Sequence, residues 1–389
     1  MRTVLMIPLA FVLAGRSAAP IGAQPAPGSI RLASSGTHTL VVAPDGTVLC
    51  QGRNQYSVCS SNPIGYMAEF SPVPGLPKAR GVAIGEASSS MVLGEDGKVY
   101  VWGENPFGLF GGTDRGPVHV RAVPTAIAGL GRARDIAALD HGGAALMEDG
   151  TVWMWGEDVE GLMGGGTLTK SWENGRAQFT PARVSGLDGV VQIAAGQRHM
   201  LALRNDGTVW AWGANKHWQL GVGDDQARAR PTRVPTLSGI TRILADAGMS
   251  AARLANGTWV VWGAAPSTMP ETGNGRQSVK TPSPLPGLLH DAVDLANGVA
   301  LFRDGTVRTW GGNDFGSLGT GAGVDAVSSA TRAVLVRSLA GVIHVWAGGN
   351  RSAALTSDGR LFLWGPSGSN DVSSFRVPKA LATFTLSKN

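Results

Sequence analysis

The chain is poor in charge: Asp, Glu, Lys and Arg make up 16% of its 389 residues, against a usual share of about 25%. That figure excludes long charged helices and coiled coils. Cysteine is nearly absent, with Cys50 and Cys59 alone, so neither a disulfide framework nor a cysteine-based zinc site can organise the fold. Lysine and arginine exceed the acids by five without gathering into a cluster that could track phosphates, which argues against nucleic acid as the partner. Beyond the N-terminal segment, no apolar run approaches the roughly eighteen residues that cross a bilayer. Disorder is excluded as well, because 43% hydrophobic residues and a mean hydropathy of +0.04 supply apolar surface to offset the entropy of ordering. Glycine is what the chain has in excess. Its 56 copies are about twice the usual share and mark a turn-rich, largely β protein.

The first residues read as an address. Arg2, the apolar run from Val4 to Gly15 and the small residues ending at Ala23 have the form of a secretory signal peptide cleaved before Gln24. The expected organisation is a signal segment at 1–23, a short linker at 24–29 and one folded unit at 30–389, secreted or periplasmic. Leu13, Ala14 and Gly15 would open a lipoprotein signal only if cysteine followed; Arg16 stands there, so no membrane anchor is expected. An oxidising compartment permits Cys50 and Cys59 to pair, closing a loop of about ten residues for about 2.5–3 kcal/mol. A free, buried pair is the alternative.

One octapeptide organises the rest: Asp, Gly, any, apolar, any, any, Trp, Gly. Its seven copies begin at Asp45, Asp96, Asp149, Asp206, Asn256, Asp304 and Asp358, at intervals of 51, 53, 57, 50, 48 and 54 residues. Six carry the tryptophan, at Trp102, Trp155, Trp212, Trp262, Trp310 and Trp364; the first has Gln51. Around each copy the pattern is a strand, a small-residue turn, a second strand such as His199 to Leu203, an Asp-Gly hairpin and a third strand such as Thr208 to Trp212. A proline-led fourth segment follows, with Pro72, Pro181, Pro231, Pro282 and Pro378, and proline belongs on a sheet edge. In Val209, Trp210, Ala211 and Trp212 both faces of the third strand are apolar, so neighbours must cover both. The fold is therefore all-β: a seven-bladed β-propeller of four-stranded antiparallel blades, its tryptophans wedged between blades.

The run DGTVWAWGANKHWQLG from Asp206 to Gly221, with Ala195, Gly196 and His199 before it, resembles the repeat of the regulator of chromosome condensation family. WGENPFGLFG from Trp102 and WGGNDFGSLG from Trp310 do so too. The resemblance covers residues 30 to 389 and implies a seven-bladed propeller, here of the secreted bacterial type. It does not imply one function, since the family includes a nuclear exchange factor, a plant ultraviolet photoreceptor and secreted bacterial inhibitors of β-lactamase. An export signal disfavours the first. The second would need a Gly-Trp-Arg-His-Thr motif, where this chain has Gly196, Gln197, Arg198, His199 and Met200. The family's loop pattern of Asn, any, aromatic, Gly, any, Leu, Gly fails in the fifth repeat, at Ala264 to Met269, and in the seventh, at Pro366 to Asn370.

Chemistry is scarce. No histidine pair has zinc-ligand spacing, no Gly-x-Ser-x-Gly elbow exists and no phosphate loop ends in Lys with Ser or Thr, so no catalytic residue, metal or cofactor is expected. His38 and His199 share one repeat position, which reads as a common structural hydrogen bond. Recognition is the expected role of a monomeric propeller that binds a protein or cell-surface partner through loops on one face. Five positions after the motif Trp or Gln51 stand Tyr56, Phe107, Glu160, His217 and Phe315, expected to circle one end of the central channel or else to fold back as loop cores. The long insertion between Glu157 and Phe179 adds Trp172, flanked by Lys170, Glu173 and Arg176; Trp218 is a further loop aromatic. The alternatives are a propeller hydrolase or lyase acting on an extracellular polymer and, by family analogy, guanine-nucleotide exchange.

Overall fold

A computed structural model describes residues 30–54, 56–59, 65–85, 89–105, 119–168, 177–264, 278–285, 287–313, 316–321, 329–348, 351–365 and 375–386. The signal segment 1–23 and the linker 24–29 lie outside the described residues. Seven four-stranded sheets span residues 31–72, 79–126, 133–183, 190–233, 240–284, 292–335 and 342–383. All are antiparallel meanders, and we number them blades 1 to 7. The chain is the all-β, seven-bladed propeller that its repeat requires.

Blade 4 shows why these residues build a blade. Its strands Val190–Ala195, His199–Arg204, Val209–Gly213 and Arg228–Arg233 pair in chain order. Between the second and third, Asp206 Oδ1 accepts the Thr208 N–H at 3.0 Å, and Gly207 takes a φ of +76° that glycine adopts without cost. Asp45, Asp149, Asn256 and Asp304 accept an N–H two residues on in the same way. The closing glycine of the motif has a different task. Gly213 has a φ of +97°, and a Cβ there would lie 2.6 Å from the Arg198 carbonyl oxygen, so only glycine lets the third strand approach the preceding hairpin. Prolines 72, 124, 181, 231, 282, 284 and 378 all fall on outer strands, as the missing amide hydrogen demands.

The core lies between the blades. Among the described residues there are seven apolar clusters, one at each junction. Six contain a motif tryptophan from the following blade: Trp102, Trp155, Trp212, Trp262, Trp310 and Trp364. All six side chains are buried. First strands of successive blades touch around the axis, as Arg31–Ser34 touches Ala79–Ile84 and Val190–Ala195 touches Ile240–Asp246.

The ring closes without exchanging a strand, because blades 1 and 7 are each built from four consecutive strands. Their junction differs from the others. Gln51 replaces the tryptophan there and turns back to donate to the Ala68 carbonyl at 3.2 Å, leaving Ile30, Leu32, Val41, Ala353, Leu355, Leu361 and Leu363 as a cluster with no motif indole, against which the partly buried Trp346 packs. Close backbone approach is kept there as at other junctions: a Cβ on Gly348 would fall against the Ser34 carbonyl oxygen, just as one on Gly85 or Gly196 would fall against the carbonyl of Leu139 or Ala247. Arg351 also donates to Thr39 Oγ1 at 3.2 Å across the seam.

The equivalent histidines make the shared bond their position suggested. His38 Nε2 lies 2.8 Å from Ser90 Oγ in blade 2, and His199 Nε2 lies 2.8 Å from Ser250 Oγ in blade 5. Burial drives their pKa values down to about 3 for His38, assisted by the charge of Arg351, and to about 4 for His199. Both rings are therefore neutral struts between blades at physiological pH.

Candidate functional site

Strand order makes the two faces of the ring unlike. The Asp-Gly hairpins and the connections between blades occupy one face. The other carries the hairpins between first and second strands near the axis and, further out, the loops between third and outer strands. On this second face lie the longest connections between strands.

The outer loops are built on one scaffold wherever they are described. The Oδ1 atoms of Asn54, Asp158, Asn215 and Asn313 accept the N–H five residues on, from Cys59, Met163, Leu220 and Leu318, at 2.7, 3.1, 2.9 and 3.2 Å. The side chains of those four partners are buried and pin the loop to its blade. The carbonyl just before each one accepts the indole N–H of a later tryptophan: Val58 from Trp102 at 2.7 Å, Leu162 from Trp212 at 2.9 Å, Gln219 from Trp262 at 2.8 Å and Ser317 from Trp364 at 3.0 Å. Each loop is thus held by its own blade and by the next. In blade 1 the anchoring position belongs to Cys59, which forms a disulfide with Cys50.

This scaffold explains a bulky residue in an unusual conformation. Trp218 and Ser57 stand where Gly161 and Gly316 stand in other blades, with φ values of +67° and +56°. A left-handed conformation costs a non-glycine residue roughly 1–2 kcal/mol. At Trp218 the indole is half buried, with Lys280 Nζ of blade 5 positioned 4.6 Å from a ring centroid, a cation–π contact.

Tyr56, Glu160 and His217 all lie on this face, but between third and outer strands, so the hairpins nearer the axis surround the channel instead. Tyr56 is half buried and packs on the cluster between blades 1 and 2. Glu160 is half buried with a φ of +54°, and His217 is exposed. Phe107, Trp172 and Phe315 lie outside the described residues. A group that the repeat arithmetic missed sits between blades 2 and 3: His141 Nδ1 lies 2.8 Å from Glu157 Oε2. Burial raises the pKa of nearby Glu104, and the His141 charge opposes the rise. His141 occupies no recurring position, so only folding brings the three together.

Among the described residues no group of His, Cys, Asp or Glu is arranged to hold a metal ion. A cavity of about 410 Å³ between blades 6 and 7 is lined by Val334, Leu335, Arg337 and Val377 among others; it contains no acid–base pair.

Comparison with known proteins agrees with this geometry. Models of the regulator of chromosome condensation (RCC1) repeat match residues 149–203, 206–250 and 190–219. The chain is 30% identical over 304 residues to a probable E3 ubiquitin-protein ligase of Homo sapiens, HERC6, covering 76% of this chain and 24% of that protein. It is 25% identical over 276 residues to the ultraviolet-B receptor UVR8 of Arabidopsis thaliana, covering 69% and 60%. The chain therefore spans less than two-thirds of either relative. Among solved structures, Prp20p of Saccharomyces cerevisiae superposes with a TM-score of 0.72 at 21% identity, covering 87% of this chain and 86% of that one. Human WBSCR16 does so with 0.69 at 19%, covering 82% and 85%. The matched repeats, within residues 149–250, and the seven-bladed ring together support a likeness to the RCC1 repeat family.

Proposed function

We propose that the protein is an exported, non-enzymatic propeller of the secreted bacterial type, which captures a protein or cell-surface partner through the long-loop face. One observation carries this reading: in four blades the loop is tied down just after the third strand by a buried side chain and by an indole hydrogen bond from a later tryptophan, while the loop sequences vary from blade to blade. A regular scaffold presenting irregular loops is how recognition surfaces are built. The signal-like segment before Gln24 supports a place outside the cytoplasm. Prp20p is described with binding properties to Gsp1p and histones; likeness to it at this identity carries the fold alone.

The test is capture from periplasm or medium, followed by Phe107→Ala, Trp172→Ala and His217→Ala. At least a tenfold loss in one variant is expected, and unchanged capture by all three would remove the loop face from the claim. N-terminal sequencing of the exported protein checks cleavage before Gln24. A second reading, a hydrolase or lyase, rests on the His141–Glu157 pair, where a carboxylate orients an imidazole beside a second acid. Turnover of extracellular polymers that His141→Gln abolishes would replace the first reading with this one.

A further inference from the structure

Charge is sorted by strand. The seven outer strands carry nine Lys or Arg residues, at positions 121, 183, 228, 230, 233, 280, 332, 376 and 379, against a single acid, Glu69. That surplus of eight exceeds the excess of five for the whole chain. Third strands show no such bias: Arg53, Arg308 and Arg360 stand against Glu104 and Glu157. Arg183 and Arg228 pair with Asp188 and Asp224, whereas among the described residues no carboxylate is in salt-bridge reach of exposed Arg230, Arg233, Lys280, Arg332 or Arg376.

Protection of exposed sheet edges calls for charge and proline, but either sign of charge serves that purpose. Uniform sign on six of seven edges needs a further reason. An extended peptide adding to an edge is opposed by the prolines, since an outer strand such as Arg228–Arg233 lacks the amide hydrogen of Pro231 that a strand partner would need. Flexible single-stranded nucleic acid binds through aromatic platforms, and the large apolar residues exposed among the described residues are all aliphatic. What remains is recognition by charged side chains around a convex wall.

We propose that the outer wall of the propeller binds an acidic polysaccharide, its carboxylate or sulfate groups meeting the guanidinium and ammonium groups of the outer strands, on a surface that adjoins the loop face where Lys280 lies over Trp218 and Arg230 lies beside Gly166. Charge complementarity is the argument, and steep dependence on salt is its consequence, because the Debye length falls from about 14 Å near 50 mM to about 5 Å near 400 mM ionic strength.

The test uses the full chain with polygalacturonate and dextran sulfate as probes and uncharged dextran as control. The expected result is binding of one or both acidic polymers at low salt, at least tenfold weaker binding at roughly 400 mM NaCl, and none to dextran. Combined Arg230→Glu, Arg233→Glu, Arg332→Glu and Arg376→Glu should weaken binding at least tenfold. The matching set of Lys98→Glu, Lys78→Glu, Arg132→Glu and Arg303→Glu on the opposite turns changes net charge equally and should weaken it less than threefold. Glutamine versions of both sets repeat the comparison if reversal impairs folding. Equal losses in the two sets, no binding of either acidic polymer at low salt, or tighter binding of duplex DNA or anionic vesicles would overturn the proposal.

Discussion

Replacing a motif tryptophan by phenylalanine should cost very different amounts at two equivalent positions. At Trp212 the indole N–H donates to the Leu162 carbonyl at 2.9 Å. The substitution removes that bond and leaves a buried acceptor unpaired, for about 1–3 kcal/mol, in addition to the cavity left by the smaller ring. At Trp310 the indole is also buried, but among the described residues its Nε1 has no acceptor; the preceding loop, in the fifth repeat, is one of the two that depart from the family pattern. Trp310→Phe therefore loses the same volume while removing a donor already left unsatisfied, which offsets part of the cavity cost. Trp212→Phe should be the more destabilising by about 2 kcal/mol. With a urea slope of at least about 3 kcal/mol/M for a chain of this size, the difference appears as a gap of up to about 0.7 M between the two midpoints, measured by fluorescence on otherwise identical full-length proteins. Equal midpoints, or a lower one for Trp310→Phe, would refute the view that indole hydrogen bonds register the blades.

Three further outcomes follow from the geometry. Gly348→Ala places a Cβ against the Ser34 carbonyl and should lower stability by about 1–3 kcal/mol, with hydrogen exchange rising first in blades 1 and 7; uniform loss of protection would contradict a weak seam. Acid should destabilise through His38 and His199, whose folded pKa values are depressed: their contribution is complete above pH 6.5 and is lost as pH falls towards about 4 and 3. Asp135, pushed up to about 6 by burial, acts in the opposite sense between about pH 6 and 4, so two protons against one leave stability rising with pH by about 1.4 kcal/mol per unit there. Urea midpoints across that range, and the reversal of their slope in a His38→Gln, His199→Gln double variant that leaves Asp135 alone, check the sign. Reduction of Cys50–Cys59 should cost about 2.5–3 kcal/mol from loop entropy and loosen the Val58 carbonyl that holds Trp102, seen as a red shift in tryptophan emission; an unchanged midpoint in reductant would sink it.

The octapeptide determined most of the architecture before any coordinates, because each of its residues answers a local demand. Asp caps a two-residue turn, glycine accepts a left-handed backbone, and an apolar third strand must be covered on both faces. Seven equal units that cannot bury those faces alone can only stack, and that argument needs no distances. The tertiary structure decided everything that depends on which units become neighbours. The bond from His38 to Ser90, the acceptor missing at Trp310 among the described residues, the seam that closes the ring without a motif indole and the meeting of His141 with Glu157 all join residues from different repeats or from irregular turns. The single sign of charge on the outer strands belongs with these, because residues about fifty positions apart form one wall only after the ring has closed.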